Sequence, residues 1–163
     1  MATIHKNLSD FNKESIPEAS DLRIAIVTSK WNSDITGNLK QGALETLTDI
    51  GVPQDSIREF DVPGTYELSI GAQMILEHRR YDAVISIGSV IRGETAHFDF
   101  VCQSVAQGIK DVSLKYNTPV IFCVLTDDTI EQSKARSGGA HGNKGVEAAV
   151  AAVEMAIMKN SLK

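Results

Sequence analysis

The residues best suited to chemistry crowd into one stretch, Gly88-Ser89-Val90-Ile91-Arg92-Gly93-Glu94-Thr95-Ala96-His97-Phe98-Asp99. It follows the apolar run Asp82 to Ile87, which reads as a buried strand closed by glycine. Two glycines, a threonine, an arginine and a histidine then share one strand-to-helix loop. Backbone N–H groups at such a loop suit an anion, and the imidazole of His97 is a titratable group beside it. The pattern points to a small phosphorylated substrate and proton transfer, hence to an enzyme.

The elements that must position this loop recur along the chain. Four apolar runs are spaced about thirty residues apart: Leu22–Thr28, a weaker run Ile57–Val62, Ala83–Gly88 and Pro119–Leu125. Their Val/Ile content suits strands covered on both faces, as in a parallel sheet. Helical periodicity fills the gaps. Ile35, Leu39, Ala43, Leu44, Leu47 and Ile50 share one face, with Gly51 and Pro53 as a stop. Leu68, Ala72, Ile75 and Leu76 mark a second helix, and Phe100, Val101, Val105, Ile109, Val112 and Leu114 a third. Thr129-Ile130-Glu131-Gln132 looks like a capping box for a short fourth. A fifth runs from about Asn143 to Lys159, its alanines 148, 149, 151, 152 and 156 allowing close helix approach. Alternating strand and helix implies a parallel sheet between helical layers. One α/β domain over 21–163, preceded by an N-terminal extension 1–20, is the expected organisation.

With 163 residues the chain is long enough to bury roughly 70% of its unfolded surface. A net charge of −5 argues against nucleic acid or an anionic membrane as partner. Residues 1–20 are too polar for a signal peptide or a membrane span, so a cytoplasmic protein is expected. Cys102 and Cys123 lie in apolar runs without ligand spacing and read as buried free thiols. The four histidines are scattered, so no metal site is expected. There is no Gly-x-Ser-x-Gly elbow and no dinucleotide fingerprint after the first strand.

Ligands of open α/β sheets bind beyond the carboxyl ends of the strands. Those ends here carry Ser29-Lys30-Trp31-Asn32, then Pro63-Gly64-Thr65-Tyr66-Glu67, then the His97 loop, then Thr126-Asp127-Asp128. Taken singly each residue has a structural alternative. Trp31 is a lid over the core or a stacking platform. Glu67 is a first-turn charge for its helix, His97 a helix-start residue bonded to backbone, Gly64 and Gly93 turn glycines, and Arg92 a solvated surface charge. A second cluster, Arg136-Ser137-Gly138-Gly139-Ala140-His141-Gly142-Asn143-Lys144-Gly145, reads as a flexible inter-helix joint able to bind an anion. It lacks the Gly-Lys step of a Walker loop, and His141 reads as surface.

Together these residues closely resemble the 6,7-dimethyl-8-ribityllumazine synthase family. The resemblance spans about Leu22 to Lys159 and rests on Ser29–Asn32, Val62–Glu67, Gly93–Asp99, Leu125–Gln132, and Arg136 with Gly142–Gly145. It implies a flavodoxin-like three-layer sandwich and the penultimate step of riboflavin biosynthesis. There, 5-amino-6-(D-ribitylamino)uracil condenses with 3,4-dihydroxy-2-butanone 4-phosphate, releasing phosphate and water, with no cofactor.

The resemblance also implies roles. Trp31 stacks on the pyrimidine ring, with Asn32 beside it. Gly64, Thr65, Tyr66 and Glu67 hold the ribityl chain, and Val90 and Ile91 read the uracil edge through backbone groups. Gly93, Glu94 and Thr95 surround the phosphate, and His97 transfers protons. A neighbouring subunit supplies Phe122 to the apolar wall and Arg136 to the phosphate, and Lys144, steadied by Glu147, matches a position near that region. The implied assembly is a homo-oligomer, a pentamer at least and compatible with a sixty-subunit shell, in which the N-terminal segment adds a strand to a neighbour. Two departures stand out: Ala140 where many members carry lysine, and Trp31 where phenylalanine is commoner. The rival on the same scaffold is a non-catalytic lumazine- or flavin-binding paralogue, against which His97, Arg136 and Lys144 speak. A signalling domain would want an acidic cluster after the first strand, where Ser29-Lys30-Trp31 stands.

Overall fold

A computed structural model of the chain describes residues 7–162. Four strands form one parallel sheet: β1 (Ile24–Ser29), β2 (Ile57–Val62), β3 (Ala83–Ile91) and β4 (Val120–Asp127), in the order β2-β1-β3-β4. Between them run α1 (Ser33–Ile50), α2 (Leu68–His78) and α3 (His97–Tyr116); α4 (Ile130–Arg136) and α5 (Lys144–Ser161) follow β4. The chain first steps from β1 to β2, then back across to β3 and β4. Right-handed crossovers therefore send α1 to one face and α2 and α3 to the other. α5 returns to pack on α1, which completes the three layers of the expected sandwich.

Each face has its own core. Ile24, Ile26, Ile85, Ile87 and Cys123 meet Leu39, Ala43 and Leu47 of α1 and the alanines Ala148, Ala149, Ala152 and Ala156 of α5. Ala25, Val27, Val84 and Val124 meet Leu68 and Ala72 of α2 and Val105 and Ile109 of α3. Successive strand residues face opposite layers, and both layers are covered, so β1 is buried along its whole length. β2 is the edge strand, and Arg58, Glu59, Phe60 and Asp61 are exposed on it. That is why its run is the weakest of the four in sequence; charge on an edge also blunts unwanted pairing.

Three elements differ from the sequence expectation. β3 does not stop at Gly88 but continues to Ile91, pairing with β4 as far as Ile91 opposite Asp127. Gly88 is there because a Cβ would lie 2.7 Å from Thr65 Cγ2 and 2.9 Å from Leu68 Cδ1, so the start of α2 packs directly on the strand. The joint between α4 and α5, read as a flexible inter-helix joint, is a small antiparallel hairpin, β5 (Ser137–Gly139) with β6 (Gly142–Asn143). Gly138 and Gly142 adopt positive φ, of 108° and 82°, which the tight turn requires. Cys102 is only half-buried, whereas Cys123 is fully buried as expected.

The strand expected from the N-terminal segment lies in part at residues 1–6, outside the described residues. Residues 7–20 contain a short 3-10 turn, Lys13–Ser15, capped by Asn12, and no strand. The Leu8 N–H donates to the His141 carbonyl at 2.9 Å, and the Asn143 N–H donates to Ser9 Oγ at 2.9 Å, so this segment lies on the β5–β6 hairpin of its own chain. Ile16 and Ala19 join the core beneath α1 and α5. Among the described residues no helix is long and apolar enough to cross a membrane.

Candidate active site

β1 and β3 are neighbours, yet the chain leaves them in opposite directions. A crevice therefore opens beyond their carboxyl ends. It is a cleft of about 430 Å³. Trp31 and Asn32 line it from the end of β1, Gly64, Thr65, Tyr66 and Glu67 from the end of β2, and Val90, Ile91, Gly93, Thr95 and His97 from β3 and its loop. Eleven of the residues expected to serve one site thus meet in one place.

The β1 wall is set by Asn32, which caps α1 in the left-handed region at φ 57°. Asparagine tolerates that conformation better than other side chains. Its carbonyl accepts from Ile35 N–H at 2.9 Å, and its Nδ2 donates to the Ser89 carbonyl at 3.0 Å. Asn32 therefore ties the loop after β1 to β3. That turn throws Trp31 outward, with 72% of it exposed. A core lid is ruled out for this side chain. The indole is an aromatic face open to a ligand.

On the β2 wall, the Glu67 carboxylate folds back over Gly64, whose Cβ would lie 2.9 Å from Glu67 Oε2. Thr65 is buried and its hydroxyl turns inward, 3.4 Å from the Ser89 carbonyl and 3.5 Å from Ser29 Oγ. Tyr66 is exposed at the rim.

His97 is the first residue of the twenty-residue helix α3 and is exposed at the cleft. The N–H groups of Gly93, Glu94, Thr95 and Ala96 find no acceptor among the described residues, while His97 N–H donates to Thr95 Oγ1 at 3.4 Å. Unpaired N–H groups leading into a long helix, whose dipole is positive at this end, form an anion cradle. It lies within one turn of the imidazole.

The remaining predicted residues stand elsewhere. Glu94 is exposed in the loop but does not line the cleft. Phe122, 37% exposed on β4, and Arg136, at the end of α4, lie outside it. Arg136 Nη1 donates to the Gln132 carbonyl at 3.0 Å and stands 4.0 Å from Asp127 Oδ1, a buried carboxylate that also accepts from Ser133 Oγ at 2.8 Å. Lys144 opens α5 and bonds Glu147 Oε1 at 2.6 Å. Burial pushes the Glu147 carboxyl up, but the Lys144 hydrogen bond and charge help to hold it below the usual range.

Ser89, Phe98 and Val101 also line the cleft, although the sequence reading gave none of them a role in the site. Arg92, read there as a solvated charge, is engaged. Its Nε donates to Asp128 Oδ1 at 2.8 Å, its Nη2 meets Asp99 Oδ1 at 3.1 Å, and its guanidinium lies 4.1 Å from the centre of the Phe98 ring. Arg92 and Asp99 are separated by an irregular loop, over which neither helix nor strand periodicity applies, which is why the pairing was not legible.

Comparison with known proteins covers nearly all of the chain. The 6,7-dimethyl-8-ribityllumazine synthase family matches residues 21–160. A 6,7-dimethyl-8-ribityllumazine synthase of Flavobacterium johnsoniae is 55% identical, covering 98% of this chain and 84% of the relative. One from Christiangramia forsetii is 51% identical over 100% and 98% of the two chains, and one from Porphyromonas gingivalis 50% identical over 96% and 97%. The match extends through the cleft, the hairpin and α5, and on that ground the chain belongs to the 6,7-dimethyl-8-ribityllumazine synthase family.

Proposed function

We propose that this chain is a transferase of riboflavin biosynthesis. It condenses 5-amino-6-(D-ribitylamino)uracil with 3,4-dihydroxy-2-butanone 4-phosphate to give 6,7-dimethyl-8-ribityllumazine, phosphate and water. The observation that carries this reading is the shared cleft, lined by an exposed indole, a carboxylate and an imidazole together with Gly93 and Thr95, whose N–H groups have no acceptor among the described residues. Trp31 stacks on the pyrimidine, Glu67 accepts from the ribityl hydroxyls, and the Gly93–Thr95 N–H groups hold the phosphate.

The attacking amine belongs to the substrate, so no protein nucleophile is needed. Attack on the ketone, loss of water, elimination of phosphate and closure of the second ring all need protons moved, which His97 performs. Holding two reactants in register lowers a barrier by up to roughly 7–11 kcal/mol. A positioned acid–base group typically adds about 10²–10⁴-fold.

The assembly completes the site. In our reading Phe122 and Arg136 serve the cleft of a neighbouring subunit, with Lys144 near the same phosphate. Their absence from the cleft of their own chain supports this, as does the open face of Trp31. A cytoplasmic pentamer is the smallest complete unit, and sedimentation separates it from a sixty-subunit shell.

The decisive experiment is a steady-state assay with both substrates that follows lumazine absorbance and phosphate release together. Coupled appearance of the two products is expected. His97→Ala should lower kcat about a hundredfold with modest change in KM, whereas Arg136→Ala should mainly raise KM for the phosphorylated substrate. Tight lumazine binding without turnover would make the protein a carrier and overturn the reading.

A further inference from the structure

The loop that carries the anion cradle and His97 has no regular structure of its own from Arg92 to Ala96, yet its shape decides where the N–H groups and the imidazole stand. One side chain closes it. Arg92, just beyond the end of β3, reaches across the loop to Asp99 in the first turn of α3, with contacts of 3.1 Å and 3.4 Å to the two carboxylate oxygens. The same guanidinium donates through Nε to Asp128 at 2.8 Å, in the loop that leads from β4 to α4. Its backbone N–H donates to the Asp127 carbonyl at 3.0 Å, which continues the β3–β4 ladder by one bond. Its flat face lies on Phe98, the buried neighbour of His97 that lines the cleft.

We propose that Arg92 is a positioning residue for this site: it staples residue 92 to residue 99 around the segment 93–98, anchors that ring to the β4–α4 loop, and so holds the phosphate cradle and His97 in place. The proposal rests on the reading of the cleft as the condensation site. With both acidic partners in contact, the charge of Arg92 is already matched, so its part is to shape the loop rather than to attract the phosphate. Only a planar fork with several fixed N–H directions can serve two carboxylates and an aromatic face at once, and lysine cannot. The three charged side chains are between 43% and 67% exposed. Exposed pairs of this kind add little to global stability, which separates a positioning role from a structural one.

The test compares the full-length protein with Arg92→Gln, Arg92→Lys and Asp99→Asn in the two-substrate assay, with thermal midpoints measured alongside. Arg92→Gln should lower kcat roughly ten- to a hundredfold, the size expected for a small misplacement of reacting groups. It should also raise KM for the phosphorylated substrate while leaving KM for the amine and the midpoint near those of the parent. Arg92→Lys should remain impaired, and Asp99→Asn should reproduce part of the defect. The double variant Arg92→Gln/Asp99→Asn should be no worse than Arg92→Gln alone, because both remove one contact. Parental kinetics in Arg92→Gln, full recovery in Arg92→Lys, or additive losses in the double variant would each overturn the proposal. A parent that turns over neither substrate would instead defeat the functional reading on which it rests.

Discussion

Replacing Gly145 by alanine places a methyl group against the backbone of α1, where α5 packs on it. A Cβ at this position collides with the carbonyl oxygen of Leu39 and lies 2.8 Å from the carbonyl carbon. Both atoms belong to the body of α1, so no side-chain rotation relieves the clash and the two helices must part. Overpacking of this kind costs about 1–3 kcal/mol, and a rigid backbone neighbour puts it at the upper end. The better helix propensity of alanine offsets up to about 1 kcal/mol, and less in a first turn. The net is a loss of about 2 kcal/mol, or roughly 4–8 °C in thermal midpoint for a domain of this size.

Gly37 is the control. It lies on the exposed side of α1, and a Cβ there meets nothing within 4 Å. Gly37→Ala should therefore stabilise by up to about 1 kcal/mol through the unfolded chain and helix propensity. Thermal or urea unfolding should be compared at one protomer concentration, because association adds its own mass-action contribution. Equal stability of Gly145→Ala and the parent, or shifts of the same sign in both variants, would refute the steric argument. Because Lys144 and Glu147 share the first turn of α5, the same displacement should also raise KM for the phosphorylated substrate.

Two further outcomes follow from the geometry. Trp31→Ala should raise KM for the pyrimidine substrate about three- to tenfold, the worth of an aromatic pair beyond area burial, while Trp31→Phe stays near the parent; equal effects in both would remove the stacking role. Burial pushes the Cys123 thiol up from an ordinary 9.0 to about 12. The folded protein keeps it neutral while the unfolded chain ionises, so this contribution to stability is full below about pH 9 and is lost as pH rises toward 12. Near pH 10 the parent should have lost on the order of 1 kcal/mol more than Cys123→Ala; parallel stability–pH curves for the two proteins would count against it.

How much of this was legible in the residues differs from element to element. The apolar runs of β1 and β4, the periodic faces of α1 and α3, the stop at Gly51 and the cap at Thr129 all declare themselves, because each depends on neighbours within a turn or a pleat. The Thr129 hydroxyl does accept from Gln132 N–H at 3.3 Å, while the Gln132 side chain accepts one residue earlier than a capping box would have it, from Asp128 N–H at 2.9 Å. The chemistry at the strand ends was equally readable, since an alternating α/β pattern already says which loops share an edge.

What only the tertiary structure decided depends on pairs far apart in the chain. Gly88 looks like a terminator, and only the packing of Thr65 and Leu68 on β3 makes it a strand residue. Asn32 looks like one polar loop residue among several, until the sheet order β2-β1-β3-β4 brings Ser89 within 3.0 Å of its amide. Arg92 looks like solvated charge, until the same order sets the β4 loop beside it and supplies Asp128. Local periodicity records which face of an element is buried. The identity of the element that buries it is decided by strand order and crossover hand, and those are properties of the folded chain as a whole.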